Sequence, residues 1–420
     1  MKHKTVLLAC VAAVLAAVGA GAADGSPDVP VCDAPGDGKA DATTAIQQAL
    51  DQAAPQPGVV FLRPGSYRIT ATLNVPSGVT LSGLAPRWEG GSTSIIVEVK
   101  GFSAVRLNNF SCVKGLAFLY PNNRKGDNPE EYPPTILLAG INPSVEQVSF
   151  DSAWIGIAPP PEGANTGQCL FRDITGFTHR VGLRLDGIKD IARIEDVHWF
   201  VPAYGGDFYR RERVGFEFGA VDGVLMSRCF MIGGKTFFHQ LGKTGAGEAV
   251  HSLGLHVSQC WTEAVKYGFL IEGTCGFILS DTQIYVSDPA GAGIAMTMPS
   301  LYYHAAITNT QVRCDGSQAL GILYAPTGEH PRNHLMVSHC QVFEASNGVV
   351  LGSKARNVWV TENHLGARDA GVVIEAGADT LFIRDNVVLA PEDVVQKPAA
   401  GAAGGVAAGA AISITGNVKQ

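Results

Sequence analysis

The sequence is poor in charge: only 16% of its 420 residues are Asp, Glu, Lys or Arg. Its nine cysteines include no C-x-x-C pair, which argues against a zinc site built on that motif. Past residue 22 there is no apolar run long enough to span a bilayer, and the Ala/Gly stretch 399–411 is too short and too weakly apolar. There is no basic excess either. The net charge is −7, and loss of Lys2 and Lys4 takes it to −9, so nucleic acid is a poor partner. What the chain has in quantity is glycine, 50 residues. With so little charge, that favours a turn-rich β protein over helices.

The first 22 residues read as a secretory signal. Lys2 and Lys4 precede the apolar "VLLACVAAVLAAVGA", and the small-residue "AGA" ends at Ala22. Cys10 resembles a lipoprotein acceptor, but the longer apolar run lies after it rather than before. The mature chain is expected to be secreted or periplasmic, with no membrane span.

A repeat organises the rest. "VSQCWT" from Val257, "ITNTQV" from Ile307, "VSHCQV" from Val337 and "VTENHL" from Val360 share one pattern, and earlier copies include "IEDVHW" from Ile194. Aligned on the fourth residue, the column reads Leu116, Val148, Ile174, Val197, Cys229, Cys260, Thr282, Thr310, Cys340, Asn363, Asn386 and Asn417. Like residues neighbour like, as stacked coils about 4.8 Å apart produce. The asparagines are expected to bond along the stack. Cys229, Cys260 and Cys340 fill inward positions as small apolar residues, with a Cys229–Cys260 disulfide as an alternative. This predicts an all-β, single-stranded parallel β-helix of about twelve coils. A second strand per coil begins "GFLIEG", "GVVLGS" or "GVVIEA". Residues 391–411 read as an Ala/Gly-rich loop before the last coil.

One amphipathic helix stands apart, in "PGDGKADATTAIQQALDQA" (35–53), with Ala45, Ile46, Ala49, Leu50 and Ala53 on one face. The open end of a solenoid exposes apolar side chains and unpaired strand edges, so segment 35–57 is expected to cap it. Thr44 and Gln47 fit a capping box. This stretch, followed by "GVVFLRPGSYRITATLNVPSGVTLSG", closely resembles the N-terminal motif of the pectate lyase superfamily. That group of right-handed parallel β-helices includes rhamnogalacturonase-type, epimerase-type and phage tailspike proteins. Ala42 departs from the pattern, where a second Asp is common. The resemblance implies the fold and leaves open hydrolase, lyase, epimerase or carbohydrate-binding spike. The polygalacturonase signatures NTD, DD, GHG and RIK are missing, as are WIDH and RxPxxR of the calcium pectate lyases.

Strand alternation places the third, fifth and following alternate positions of each repeat outside. The exposed face then carries Asp173, Thr175 and Phe177, then Asp196, His198 and Phe200. Arg228, Phe230 and Ile232 follow, with Gln259, Trp261 and Glu263, Asp281, Gln283 and Tyr285, and Asn309, Gln311 and Arg313 in later coils. It carries no lysine. Aromatic faces stack on sugar rings, and amides and carboxylates bond their hydroxyls, so a loop-walled groove here would hold a polysaccharide. The alternative is that loops cover the face and make its aromatics core.

Asp173 and Asp196 share a column, which would set two carboxylates about 5 Å apart, the spacing of a retaining glycosidase pair. The alternatives are an ordinary pair neutralised by Arg228 or a calcium site; no motif implies calcium or another cofactor, and no metal ligand set is assigned. Glu263, Tyr285 and Arg313 share a second column suited to proton transfer and charge stabilisation, with Asp281 and His198 as further catalytic candidates. Arg228, Phe230, Gln259, Trp261, Gln283 and Gln311, with Tyr209 and Arg210 of the basic "YRRER" cluster, are the substrate-binding candidates. The expected function is an exported glycoside hydrolase or polysaccharide lyase. A non-catalytic adhesion protein and a sugar epimerase are the alternatives, and monomer and trimer both remain open.

Overall fold

The computed structural model describes residues 32–84, 92–161, 165–245, 247–328, 334–398 and 411–419. The signal-like segment 1–22 lies outside them. The described chain is nearly all strand, and every ladder between its named strands is parallel. One long segment, Leu170–Leu185, shows how a coil is built. Residues 170–172 pair with 144–146 and 193–195, forming a first sheet. Residues 174–176 pair with 148–150 and 197–199, forming a second. From Val181 onward the strand pairs with Val214–Phe218 in a third. The chain thus winds around a single apolar interior as a parallel β-helix.

The corner between first and second sheets explains the repeat. Its turning residue is left-handed in coil after coil: Asp173 (φ 56), Asp196 (φ 55), Arg228 (φ 53), Gln259 (φ 54), Asp281 (φ 51), Asn309 (φ 46) and His339 (φ 56). Short polar side chains tolerate this conformation better than branched ones, so the frequency of Asp and Asn here has a backbone cause. The next residue points inward and is buried, from Val148 and Ile174 through Cys229, Thr282 and Asn363 to Asn386. Where this residue carries a thiol or a hydroxyl it bonds the carbonyl two residues back, from Cys229 Sγ to Ser227 (3.3 Å), Thr282 Oγ1 to Ser280 (2.9 Å) and Thr310 Oγ1 to Thr308 (3.0 Å). The asparagines instead bond each other: Asn363 Nδ2 donates to Asn386 Oδ1, and Asn386 Nδ2 to Asn417 Oδ1, both at 3.0 Å. All eight described cysteines, Cys229 and Cys260 among them, are free thiols.

Glycines form a column of their own at the entry to the third sheet. A Cβ on Gly268, Gly293, Gly321 or Gly348 would sit 2.4–2.8 Å from the carbonyl oxygen of the next glycine along the stack. Only a residue without a side chain fits so close to backbone, which accounts for the "GFLIEG" and "GVVLGS" openings.

Helix α1, Thr43–Ala53, buries Ile46, Ala49, Leu50 and Ala53 against the strands Val59–Phe61 and Leu73–Val75. No capping box forms at Thr44 and Gln47. Ala42, fully buried, occupies the N-cap, and Asp41 Oδ1 takes the Thr43 N–H at 3.0 Å. Gln47 is committed elsewhere, donating to the Asn74 carbonyl (3.0 Å) and accepting its N–H (2.8 Å). At the other end, the expected loop 391–411 contains a strand, Glu392–Gln396, paired with residues 370–374. Residues 399–410 lie outside the described set.

Two loops lean over the N-terminal part of the second sheet. The first includes the short 3-10 turn Pro121–Asn123 and is fastened from below by His179, whose Nε2 donates to the Asn123 carbonyl at 2.8 Å. Burial depresses the imidazole to about 4, against the opposing pull of that carbonyl. Below about pH 6.5 the unfolded chain takes up a proton that the folded chain refuses. Stability is therefore expected to be complete above that pH and to fall as pH drops towards 4, by up to about 3 kcal/mol. Urea midpoints measured between pH 7 and 5 should slope downward in the wild type and flatten in His179→Gln.

Candidate functional site

The outward row of the second sheet is continuous in register. His198 pairs with Phe230, Phe230 with Trp261, Trp261 with Gln283, Gln283 with Gln311, and Gln311 with Gln341. Ring centroids are 4.6 Å apart for His198–Phe230 and 5.8 Å for Phe230–Trp261. Trp261 is 49% exposed, a large ring facing solvent. The amides continue the line: Gln311 Nε2 donates to Gln341 Oε1 at 3.2 Å. Beside them a recess of about 270 Å³ is bounded by Asp281, Gln283, Asn309, Gln311 and His339.

Asp173 and Asp196 share one corner column, between the pairs Arg172–Glu195 and Ile174–Val197, and Arg228 is the partner that holds Asp196. Both are corner residues with left-handed backbone. Arg228 grips Asp196 through Nε (2.8 Å) and Nη2 (2.9 Å) and also reaches Glu195 (3.3 Å). The guanidinium holds the Asp196 carboxyl below its ordinary range. Asp281 accepts from the Asn309 amide. Gln259 is another exposed corner. His198 is depressed, mainly by burial and then by the charge of Arg213.

Tyr285 and Arg313 are register partners, with the guanidinium 5.5 Å from the ring centroid. Glu263 does not join them. An extra residue intervenes between the pairs Thr262–Ile284 and Val265–Val286, with Ala264 left-handed at φ 53, so the column breaks there. Two other carboxylates take its place. Arg313 Nε lies 3.3 Å from Asp315 Oδ1 and 3.2 Å from Glu344 Oε2. The Tyr285 hydroxyl donates to Asp315 Oδ2. That bond raises the tyrosine and lowers the aspartate. Arg368 braces the turn by donating to the carbonyls of Gly316 (2.7 Å) and Cys314 (3.1 Å). A recess of about 540 Å³ opens beside Arg313 and Glu344, with Phe343, Arg368 and Leu389 around it.

Two other predicted positions differ, Phe177 and Tyr209. Phe177 is 1% exposed, because the loop after Trp199 folds over it; Tyr204 lies 6.3 Å from its ring and Arg213 5.1 Å. Tyr209 is buried within the short helix α2, Phe208–Glu212, rather than presented by an open loop. Arg210 points to solvent, 3.5 Å from Asp207. Among the described residues, no cluster of three or more His, Cys, Asp or Glu is arranged to hold a metal, and no helix is long and apolar enough to cross a membrane.

Residues 29–104 match the family described as Rhamnogalacturonase A/epimerase, pectate lyase-like. Over the described residues the chain shares the right-handed β-helix fold of the solved structures that follow. Among solved structures of this fold is PfbA, a surface adhesin of Streptococcus pneumoniae, at TM-score 0.55 and 12% identity over 88% of this chain and 92% of that one. A GH87 alpha-1,3-glucanase catalytic unit from Streptomyces thermodiastaticus matches at TM-score 0.54 and 15% identity, over 94% and 70%. The tailspike protein of E. coli bacteriophage HK620, in complex with a pentasaccharide, matches at TM-score 0.59 and 12% identity, over 86% and 76%. No curated protein matches the sequence.

On this fold, the sequence pattern did not reveal Asp315 and Glu344, for different reasons. Asp315 follows the inward Cys314 and is the next outward residue after Arg313, so alternation carried one step further would have found it. Glu344 is left-handed at φ 56 and exposed where alternation would place it inside. Nothing in the local sequence marks that bulge.

Proposed function

We propose that the protein is an exported carbohydrate-active enzyme that holds an extended acidic polysaccharide along the second sheet and hydrolyses it at Asp315 and Glu344. The observation that carries this reading is the unbroken row His198–Phe230–Trp261–Gln283–Gln311–Gln341. Rings followed by amides suit successive sugar units, faces stacking on the first and hydroxyls bonding the second. Arg313, beside the larger recess, suits a uronate carboxylate.

Hydrolysis of a glycosidic bond uses two carboxylates. Asp315, kept ionised by Tyr285 and Arg313, takes the role of base or nucleophile, and Glu344 becomes the acid at the leaving oxygen once a substrate carboxylate takes over the Arg313 guanidinium. β-Elimination would instead ask a residue such as Tyr285 to remove a proton. Its hydroxyl is already donating to Asp315 and is harder to ionise than usual, which makes it a poor base.

A second reading, binding without cleavage, is favoured by the ion pairing that occupies Asp196 and Asp315. The test is incubation of the purified protein with acidic and neutral polysaccharides, following reducing ends and the absorbance of unsaturated uronates. Reducing ends alone support hydrolysis. New absorbance would replace it with elimination. Retention of a polysaccharide without products would replace it with binding.

A further inference from the structure

The line of rings does not stop at His198. Phe200 lies 6.1 Å from it between centroids and forms one wall of a pocket of about 280 Å³, completed by Phe150, Phe177, Tyr204, Arg124 and Asp151. The loops before Ile136 and after Trp199 supply Arg124, Phe200 and Tyr204. The face is thus open alongside the amide row and walled at this end. The volume falls just under the range of about 300–1,000 Å³ typical of drug-sized ligands, which suits one sugar ring rather than several.

The polar end of the pocket offers donors. Asp151, 5% exposed, has its acceptor capacity taken by protein. Arg124 reaches Oδ2 through Nη2 and through Nε at 3.1 Å, while the hydroxyls of Tyr204 and Ser152 bond Oδ1, the latter at 3.0 Å. Arg124 itself is half-exposed, and a guanidinium has five N–H groups, so donors remain for a ligand. Behind the Phe177 wall lies a second guanidinium, Arg213, fully buried, with Nε and Nη2 unpartnered. Among the described residues no carboxylate forms an ion pair with it. Burial pulls it down only to about 9, so it is charged at neutral pH, whereas His179, depressed to about 4, is neutral there. Two cations against one carboxylate leave the pocket with a positive excess, in surroundings where an uncompensated charge is expensive.

We propose, resting on the reading of the second sheet as a glycan face, that this pocket takes the terminal hexuronate of the bound chain, its ring against Phe200 and Tyr204 and its carboxylate on Arg124. The protein then engages glycans by their ends. The test is titration calorimetry or saturation-transfer NMR with free D-galacturonate and D-glucuronate against D-galactose and D-glucose. At least one uronate should bind ten-fold or more tightly than its neutral counterpart. Arg124→Gln should weaken that binding at least ten-fold. Phe200→Ala, which leaves the Asp151 network intact, should weaken it too, and Trp261→Ala should leave it unchanged. Equal binding of neutral sugars, no binding of any, or loss in Trp261→Ala but not in Phe200→Ala overturns the proposal. Retention of a polysaccharide by Trp261 without uronate binding overturns the pocket alone. Uronate binding with no polysaccharide retained overturns the chain-end assignment together with the reading of the face.

Discussion

Asn386→Leu is expected to destabilise the protein by about 3 kcal/mol or more, although leucine is close in size and apolar. Asn386 is 1% exposed. Its Oδ1 accepts the Asn363 N–H and the Asn363 Nδ2, both at 3.0 Å, and its Nδ2 donates to the Val360 carbonyl at 2.9 Å. Leucine leaves all three groups without that partner in the interior. Each buried polar group stripped of its partner costs about 1–3 kcal/mol, and burial of the extra methyl groups does not offset several at once. Thr310→Val is the comparison. Its hydroxyl serves one carbonyl in the same column, that of Thr308, so a loss of about 1 kcal/mol is expected. Urea denaturation of the two variants checks the contrast, and equal effects would mean that the ladder carries no special share of stability.

Glu344→Gln is expected to lower kcat by at least about 100-fold with little change in KM, the usual weight of a general acid or base. The side chain is exposed and its contact with Arg313 lies at the surface, so the amide should fold as well as the acid; exposed pairs are worth at most about 1 kcal/mol. Asp315→Asn should bring a comparable loss. Asp196→Asn should not, because Asp196 sits on a corner and is clamped by Arg228. Activity followed by reducing ends, with melting temperatures alongside, separates the three. A loss in Asp196→Asn and none in Glu344→Gln would move the chemistry back to the corner carboxylates.

The architecture was legible because a stacked coil repeats its chemistry. The column from Leu116 to Asn417 could be aligned by eye, and the asparagine ladder follows from equivalent amides lying one coil apart. The outward row His198 to Gln311 was equally legible, since a strand alternates strictly. Legibility failed wherever one residue left β space. Asp173, Asp196, Arg228, Gln259 and Asp281 read as an outward functional row, yet they are the corners themselves, with positive φ. A local pattern cannot separate an aspartate kept for its carboxylate from one kept for its backbone. The bulge at Ala264 removed Glu263 from its column, and that at Glu344 delivered a carboxylate no alternation predicts. Tyr209 and Phe177 failed for a further reason: the loop and short helix after Trp199 bury them, and loop placement is a tertiary fact.

The central claim is that the second sheet holds the glycan. A different aromatic stack exists on the first sheet, where Trp359 lies 5.3 Å from Phe382 and 5.7 Å from His334 with nearly parallel rings. The decisive measurement is affinity electrophoresis of wild type, Trp261→Ala and Trp359→Ala through gels containing acidic polysaccharides. Loss of a central stacking ring costs about 2 kcal/mol in binding, near 30-fold in Kd. The account predicts that at least one polysaccharide retards the wild type and Trp359→Ala alike and releases Trp261→Ala. Retardation that survives Trp261→Ala and disappears in Trp359→Ala would contradict it.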